Sequence, residues 1–114
     1  MSTFHLGTTG EDLICNFLES NGYSILDRNV RERFAEIDIV AEDERCLCFV
    51  EVRTRKGTDL GHPLETIGAK KQNSIRRAAE AYLARRNIQN REVRFDVATI
   101  VWSTGEKTLI KNAF

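Results

Sequence analysis

The stretch Ala35-Glu36-Ile37-Asp38-Ile39-Val40-Ala41, followed after Glu42-Asp43-Glu44-Arg45 by Cys46-Leu47-Cys48-Phe49-Val50-Glu51-Val52-Arg53-Thr54, decides how the whole chain is read. In the first segment polar and apolar residues alternate, with Glu36, Asp38 and Val40 on one side and Ile37, Ile39 and Ala41 on the other, which is the period of a β-strand. The four charged residues between the segments make a turn. The second segment is the most hydrophobic in the chain, and Leu47, Phe49, Glu51 and Arg53 share one of its faces. Apolar residues on both faces at its start suit a strand in the middle of a sheet. Charges at the end of such a strand need a reason to be there, because an unpaired charge is costly to bury.

Working outward, Thr9 reads as a helix N-cap with Asp12 in the acid position of a capping box. The helix should run to Asn21-Gly22, with Leu13, Ile14, Phe17 and Leu18 as its apolar stripe. Tyr23 to Val30 is a strand, and the charged run Arg28 to Arg33 suits a hairpin connection. On the other side, Lys56 to His62 is a loop and Pro63 falls near the first turn of the next element. A long helix then carries Ile67, Ile75, Ala78, Ala79, Tyr82 and Leu83 at helical spacing. Arg91 to Trp102 is a fourth strand, Ser103 to Glu106 a turn, and Lys107 to Lys111 a short last strand. The order α-β-β-β-α-β-β predicts an α/β fold: a mixed central sheet of about five strands flanked by helices, the helical crossover returning the fourth strand parallel to the third.

At 114 residues the chain has the size of one domain, spanning 1–114. With 41% hydrophobic and 30% charged residues and a single Pro it can bury a core, which excludes a disordered chain. No apolar run approaches the ~20 residues that cross a bilayer, and the first ten residues lack a basic-then-apolar layout. The expectation is a cytoplasmic protein without an export signal or membrane partner. Cys15, Cys46 and Cys48 suit a reducing compartment as buried or half-buried thiols, and with His5 and His62 they have no zinc-finger spacing. The zero net charge hides a split. Residues 1–52 hold eleven acids against four arginines, whereas residues 53–114 hold thirteen bases against six acids. An acidic half beside a basic half suits a cation site next to a surface for polyanions, though a mixed solvated surface has the same composition.

Adjacent antiparallel strands bring Asp38 and Glu51 within reach of one another, and two carboxylates so placed repel unless a cation lies between them. Oxygen-only donors favour Mg²⁺ or Mn²⁺, which polarise a phosphodiester and acidify an attacking water. Glu11, at the start of the first helix, can add a third carboxylate from above the sheet. Arg53, about 6 to 7 Å along the same face from Glu51, is placed to meet phosphoryl charge. Taken alone, each acid reads as readily as a surface residue or half of an ion pair, and Asp96 reads as a strand-end ion pair or an auxiliary acid. Trp102 and Tyr82 read as core or sheet-end residues rather than stacking platforms.

Gly10-Glu11, Asn21-Gly22-Tyr23, Arg28-Asn29, Glu36-Ile-Asp-Ile-Val-Ala, Phe49-Val-Glu-Val-Arg-Thr-Arg, Lys70-Lys71, Ala81-Tyr82-Leu83 and Arg94-Phe-Asp-Val closely resemble the bacterial YraN-like family from about Gly7 to Val101. More distantly the chain is similar to archaeal Holliday-junction resolvases, within the PD-(D/E)XK nuclease superfamily. The resemblance implies a restriction endonuclease-like core with Glu11, Asp38 and Glu51 as catalytic acids holding Mg²⁺ or Mn²⁺, Glu36 as an auxiliary acid, and Arg53 in the place of the superfamily lysine. It further implies a metal-dependent DNA endonuclease acting on branched or otherwise distorted DNA, and a homodimer for symmetric cutting of two strands.

Two departures from that pattern are visible. Ala35 stands where Gly is usual, a mild change. Arg53 replaces a lysine and stays charged, so it can stabilise negative charge but cannot abstract a proton. A nucleic-acid-binding module with a nuclease-like fold and little or no activity is therefore the alternative. A scaffold with unrelated surface acids is the third reading. Arg55, Lys56, Lys70, Lys71, Arg76 and Arg77 follow the candidate strand and are placed to track a phosphate backbone, or else form a solvated helix face.

Overall fold

The computed structural model describes residues 9–55 and 67–114. Helix α1 (Gly10–Ser20) opens with the expected capping box: the Asp12 N–H donates to Thr9 Oγ1 at 3.1 Å and the Thr9 N–H donates to Asp12 Oδ2 at 2.9 Å. It stops where Gly22 takes a left-handed φ of +91°, a conformation that favours glycine. Five strands follow the expected order: β1 (Tyr23–Arg31), β2 (Glu36–Asp43), β3 (Cys46–Arg55), β4 (Glu92–Val101) and β5 (Lys107–Ile110), with helix α2 (Ala69–Arg85) between β3 and β4. The sheet runs β1-β2-β3-β4-β5 in space, antiparallel except for the parallel β3–β4 pair. This is the α-β-β-β-α-β-β mixed sheet that the hydrophobic pattern predicts, with β3 at its centre. The expected loop at 56–62 and Pro63 lie outside the described residues; α2 is described from Ala69, capped by Gly68.

Each helix covers one face of the sheet. Ile14 and Leu18 of α1 pack with Ile39, Ala41, Cys48, Val50, Ala98 and Ile100. Ile75, Ala78, Ala79 and Tyr82 of α2 pack with Val40, Leu47, Phe49 and Phe95 on the other. The Phe49 ring meets Tyr82 edge-on at 5.7 Å and stacks on Phe95 at 5.7 Å, arrangements that suit the aromatic quadrupole. Cys15 and Cys48 are buried, Cys46 is half-buried, and all three are free thiols, as expected.

In β2 the strict alternation fails at one point. Ile37 packs in the α2-side cluster with Val40, whereas Ile39 and Ala41 pack on the α1 side. The paired β2–β3 register stops at Ile39↔Val50, and beyond it the Val52 N–H donates to the Asp38 carboxylate at 2.8 Å. A side chain has replaced the backbone carbonyl as the ladder partner, so the two strands separate at Asp38.

A second feature of the interior is polar. Asp96, fully buried on β4, accepts from Tyr23 Oη at 2.9 Å, from Arg94 Nε at 2.8 Å and from the Asn112 N–H at 2.9 Å. Arg94 continues to Asp43 at 2.9 Å, and Lys111 reaches the same carboxylate at 3.0 Å. Asp96 is thus the hub that ties the start of β1, the end of β2, β4 and the chain after β5 together.

Gly10 sets how closely α1 lies on the sheet. A Cβ there would stand 2.5 Å from Thr54 Oγ1 and 3.4 Å from Ile100 Cγ2. Gly10→Ala is expected to cost about 1–3 kcal/mol, the usual penalty for overpacking. Adding Thr54→Ala should return most of it; a urea denaturation series finding Gly10→Ala neutral would contradict this packing.

Candidate metal centre

Asp38 sits where β2 leaves β3, and Glu51 stands opposite it on the central strand. The two carboxyl groups lie close enough to shift one another's protonation. Glu51 is 6% exposed. Burial first, and then the Asp38 charge, push its carboxyl up to about 7, against the pull of Lys71 and Arg53. Asp38 is also raised, mainly by burial, while the Val52 N–H and Glu51 hold it down. Two acids this close release their protons as a pair rather than singly.

Two cations face Glu51 Oε2. Arg53 Nη2 and Lys71 Nζ each stand 3.7 Å away, near enough for attraction and too far for a direct hydrogen bond. Arg53 lies two residues along β3. Lys71 comes from the first turn of α2, which the β3-α2-β4 crossover returns over the end of β3. Lys71 thus touches the site itself.

On the α1 side, a cleft of about 510 Å³ is lined by Gly10, Glu11, Asp12, Arg28, Asn29, Asp38 and Val52. Glu11 and Asp38 share this cleft. Arg28 of β1 pairs with Glu11 at 3.2 Å and with Asp12 at 2.6 Å. Its guanidinium holds the Asp12 carboxyl below the usual carboxylate range. Arg28 is aimed by a bent edge strand: the β1 register shifts between Ile25 and Asp27, and Asn29 takes a φ of 52°, which Asn tolerates better than most residues. Among the described residues no three Asp, Glu, His or Cys side chains converge tightly enough to hold a metal as a trio. Asp38 and Glu51 converge, while Glu11 faces the same cleft from its pair with Arg28.

The donor chemistry fits a hard divalent cation. Mg²⁺ keeps several waters and is commonly held by one or two carboxylates, which is what Asp38 and Glu51 offer. Their mutual repulsion is the physical sign of a place that gains from positive charge.

The other candidates are placed as follows. Glu36 pairs across the hairpin with Arg31 at 3.4 Å and is largely exposed. Lys70 is exposed on the first turn of α2. Arg76 lies 4.9 Å over the Phe95 ring and Arg77 4.0 Å over Phe34, so both also cover aromatic surface. Arg55 is half-buried at the end of β3, and Lys56 lies outside the described residues. A larger open hollow, about 1040 Å³, lies at the opposite end of the sheet between Asp43, Cys46, Glu92 and Arg94, and none of the candidate acids lines it.

The sequence reading left Arg28 and Asp12 without a role at the site and gave Lys71 only a backbone-tracking one. The hairpin pairing of Arg28 with Ile39, next to Asp38, carries the signal for the first. The crossover carries the signal for Lys71.

A mixed sheet whose central strand carries the buried Glu51 beside the half-buried Asp38 of β2, with arginine and lysine closing in from three elements, defines a small α/β protein with an acidic centre in a basic surround. The chain belongs to the uncharacterised protein family UPF0102, whose model matches residues 10–100, and this is the YraN-like group that the motifs resemble. A UPF0102 protein of Dictyoglomus turgidum is 39% identical over the full length of both chains. One from Syntrophotalea carbinolica is 48% identical over 83% of this chain and 77% of its own, and one from Chlorobium phaeobacteroides is 49% identical over 84% and 76%. No helix among the described residues is long and apolar enough to cross a membrane.

Proposed function

We propose that the protein is a metal-dependent endonuclease that hydrolyses phosphodiester bonds in DNA, with branched or distorted DNA as its substrate class. The observation that carries this reading is the carboxyl pair formed by Glu51, buried on the central strand, and the half-buried Asp38 beside it on β2. Such a pair is destabilising by itself and becomes favourable with a divalent cation. In this reading Asp38 and Glu51 hold Mg²⁺ or Mn²⁺, which supplies Lewis-acid polarisation of a phosphoryl oxygen and activation of water. Arg53 and Lys71, both facing Glu51, meet the charge that grows on the phosphoryl group. Arg28 reaches the same cleft from β1, and a substrate phosphate competes with Glu11 and Asp12 for its guanidinium. Lys70, Arg55 and the exposed edges of Arg76 and Arg77 extend positive charge away from the site along the backbone path. Symmetric cutting of two strands calls for a second copy of the chain.

One observation favours a second reading. Arg28 holds Glu11, so the acids form a pair rather than a trio, and Arg53 stays protonated. A DNA-binding module that has kept the nuclease core has those properties.

Incubation with labelled four-way junction, flap, single-stranded and duplex DNA at low salt, in Mg²⁺, Mn²⁺ or EDTA, separates the readings. Metal-dependent cutting lost in Asp38→Asn, with binding largely retained, is the expected result. Cutting unchanged in both Asp38→Asn and Glu51→Gln would overturn the assigned centre. Salt-steep binding without cutting would establish the binding module instead.

A further inference from the structure

We infer that Arg28 gates the cation site: paired with Glu11, it withholds that carboxylate from the cleft shared with Asp38, and a phosphate that takes the guanidinium releases Glu11 to the cation. The inference rests on the metal-dependent reading above and deepens it, because the centre then gains its third acid only where a phosphodiester is present. Strand β1 is built to bring Arg28 to this place. Tyr23 and Ile25 pack in the α1-side cluster, so an unbroken alternation would send Asp27 to that side and Arg28 to the other. The bulge between Ile25 and Asp27 adds one residue and reverses the two. Asp27 accordingly pairs with Arg86 at the end of α2, at 2.7 Å, and Arg28 pairs with Glu11 and Asp12 of α1.

The two contacts of the guanidinium are unequal. Both come from Arg28 Nη2, which donates to Asp12 Oδ1 at 2.6 Å and to Glu11 Oε1 at 3.2 Å. Asp12 is fixed through its other oxygen, which accepts the Thr9 N–H in the capping box. Asp12 is therefore the anchor, and Glu11 is the partner that exchanges. The Arg28 and Glu11 side chains are 37% and 18% exposed, so a ligand entering the cleft reaches both. An ion pair this open to water contributes little to stability, whereas a guanidinium binds phosphate through two parallel hydrogen bonds. A divalent cation is likewise a stronger partner for the Glu11 carboxylate than half of one guanidinium nitrogen. Each exchange frees the group that the other ligand needs. By linkage the effect is mutual, so the cation and the phosphate raise one another's affinity by the same factor.

Mn²⁺ uptake by the full chain without DNA, followed by titration calorimetry at constant ionic strength, tests the gate with no reading of cleavage. In chloride, Glu11→Gln should leave the Mn²⁺ affinity of the parent unchanged, because Glu11 is already engaged. In Arg28→Met the affinity should rise, and adding Glu11→Gln should then lower it by roughly tenfold. Sulfate in place of chloride, standing in for phosphate, should make the parent depend on Glu11 in the same way. That arm needs no substitution at Arg28, and melting curves establish that every variant is folded. A Glu11→Gln effect of equal size with and without Arg28, or none in either, would overturn the gate and leave the Asp38–Glu51 centre standing. An effect in Arg28→Met that sulfate fails to bring out in the parent would also overturn it. No Mn²⁺ uptake, or uptake unchanged in Asp38→Asn, would overturn the centre and the gate together.

Discussion

Glu51→Gln is expected to make the metal-free protein melt at a higher temperature above neutral pH, and at the same time to abolish its stabilisation by Mg²⁺. The ordinary carboxyl value for Glu51 is 4.5, and in the folded chain it is pushed up to about 7 by burial and by Asp38. The folded state therefore prefers the protonated acid. The stability tied to that proton is complete below the unfolded value and is lost as pH rises through the folded one. The difference is roughly 3 kcal/mol, and in a domain of this size it moves the melting point by about 10 °C. Glutamine carries no charge to release, so the melting point should fall less across that window, with only the raised Asp38 carboxyl of the pair left to titrate. In the proposed reading a divalent cation should reverse the cost in the parent, since binding to the ionised pair would stabilise only the folded chain. Scanning calorimetry from pH about 4.5 to above 7, with and without Mg²⁺, reads both effects. A parent whose stability does not fall through that window, or a variant that still responds to Mg²⁺, would show that the pair is not the cation site.

Asp96→Ala is expected to destabilise the fold by about 3–5 kcal/mol, the range for breaking a buried ion pair and leaving its partner without compensation. Asp96 is fully buried and receives Tyr23 Oη, the Arg94 side chain and the Asn112 N–H, and alanine leaves all three without that acceptor. Arg94 keeps Asp43, which sets the loss below that of an entirely stranded guanidinium. A urea midpoint within about 1 kcal/mol of the parent would mean the network contributes little. Arg94 also holds the Asp43 carboxyl below its usual range. That contribution is present above the unfolded carboxylate value and fades as pH falls through the lowered one, so it belongs to the acid side of the stability curve.

The element order and the sheet were legible because each segment carries its own period: alternation in Tyr23 to Val30, two-sided hydrophobicity at Cys46 to Val50, and a 3.6-residue stripe from Ile75 to Leu83. The Thr9 and Asp12 capping box was legible because both partners lie within four residues. The break at Asp38 was not. Nothing in an alternating string says that a carboxylate will take the Val52 N–H and turn Ile37 to the other face, since that depends on where the partner strand ends. The Asp96 hub was hidden for a similar reason. Its partners lie 73 residues upstream and 16 downstream, and a lone acid in an apolar strand looks alike whether it meets water or a tyrosine. At the candidate site the acids stood out because charges at the end of a central strand are unusual. The cations Arg28 and Lys71 blended into charged surface runs, and only tertiary pairing separates them from solvated neighbours.

The ingredients of the candidate centre sit at different depths of the sheet. Asp38 and Glu51 are on interior strands, whereas Arg28 comes from the outermost strand and Lys71 from the first turn of a helix, the parts of a fold that open at the lowest free-energy cost. Fraying at the periphery therefore removes positive charge before negative charge. A partly opened chain presents the two acids with Arg53 alone beside them, where the closed chain adds Lys71 and Arg28. Such a form would hold a polyanion less well than the closed one, so in the proposed reading the pull on a phosphate backbone is greatest in the completely folded molecule.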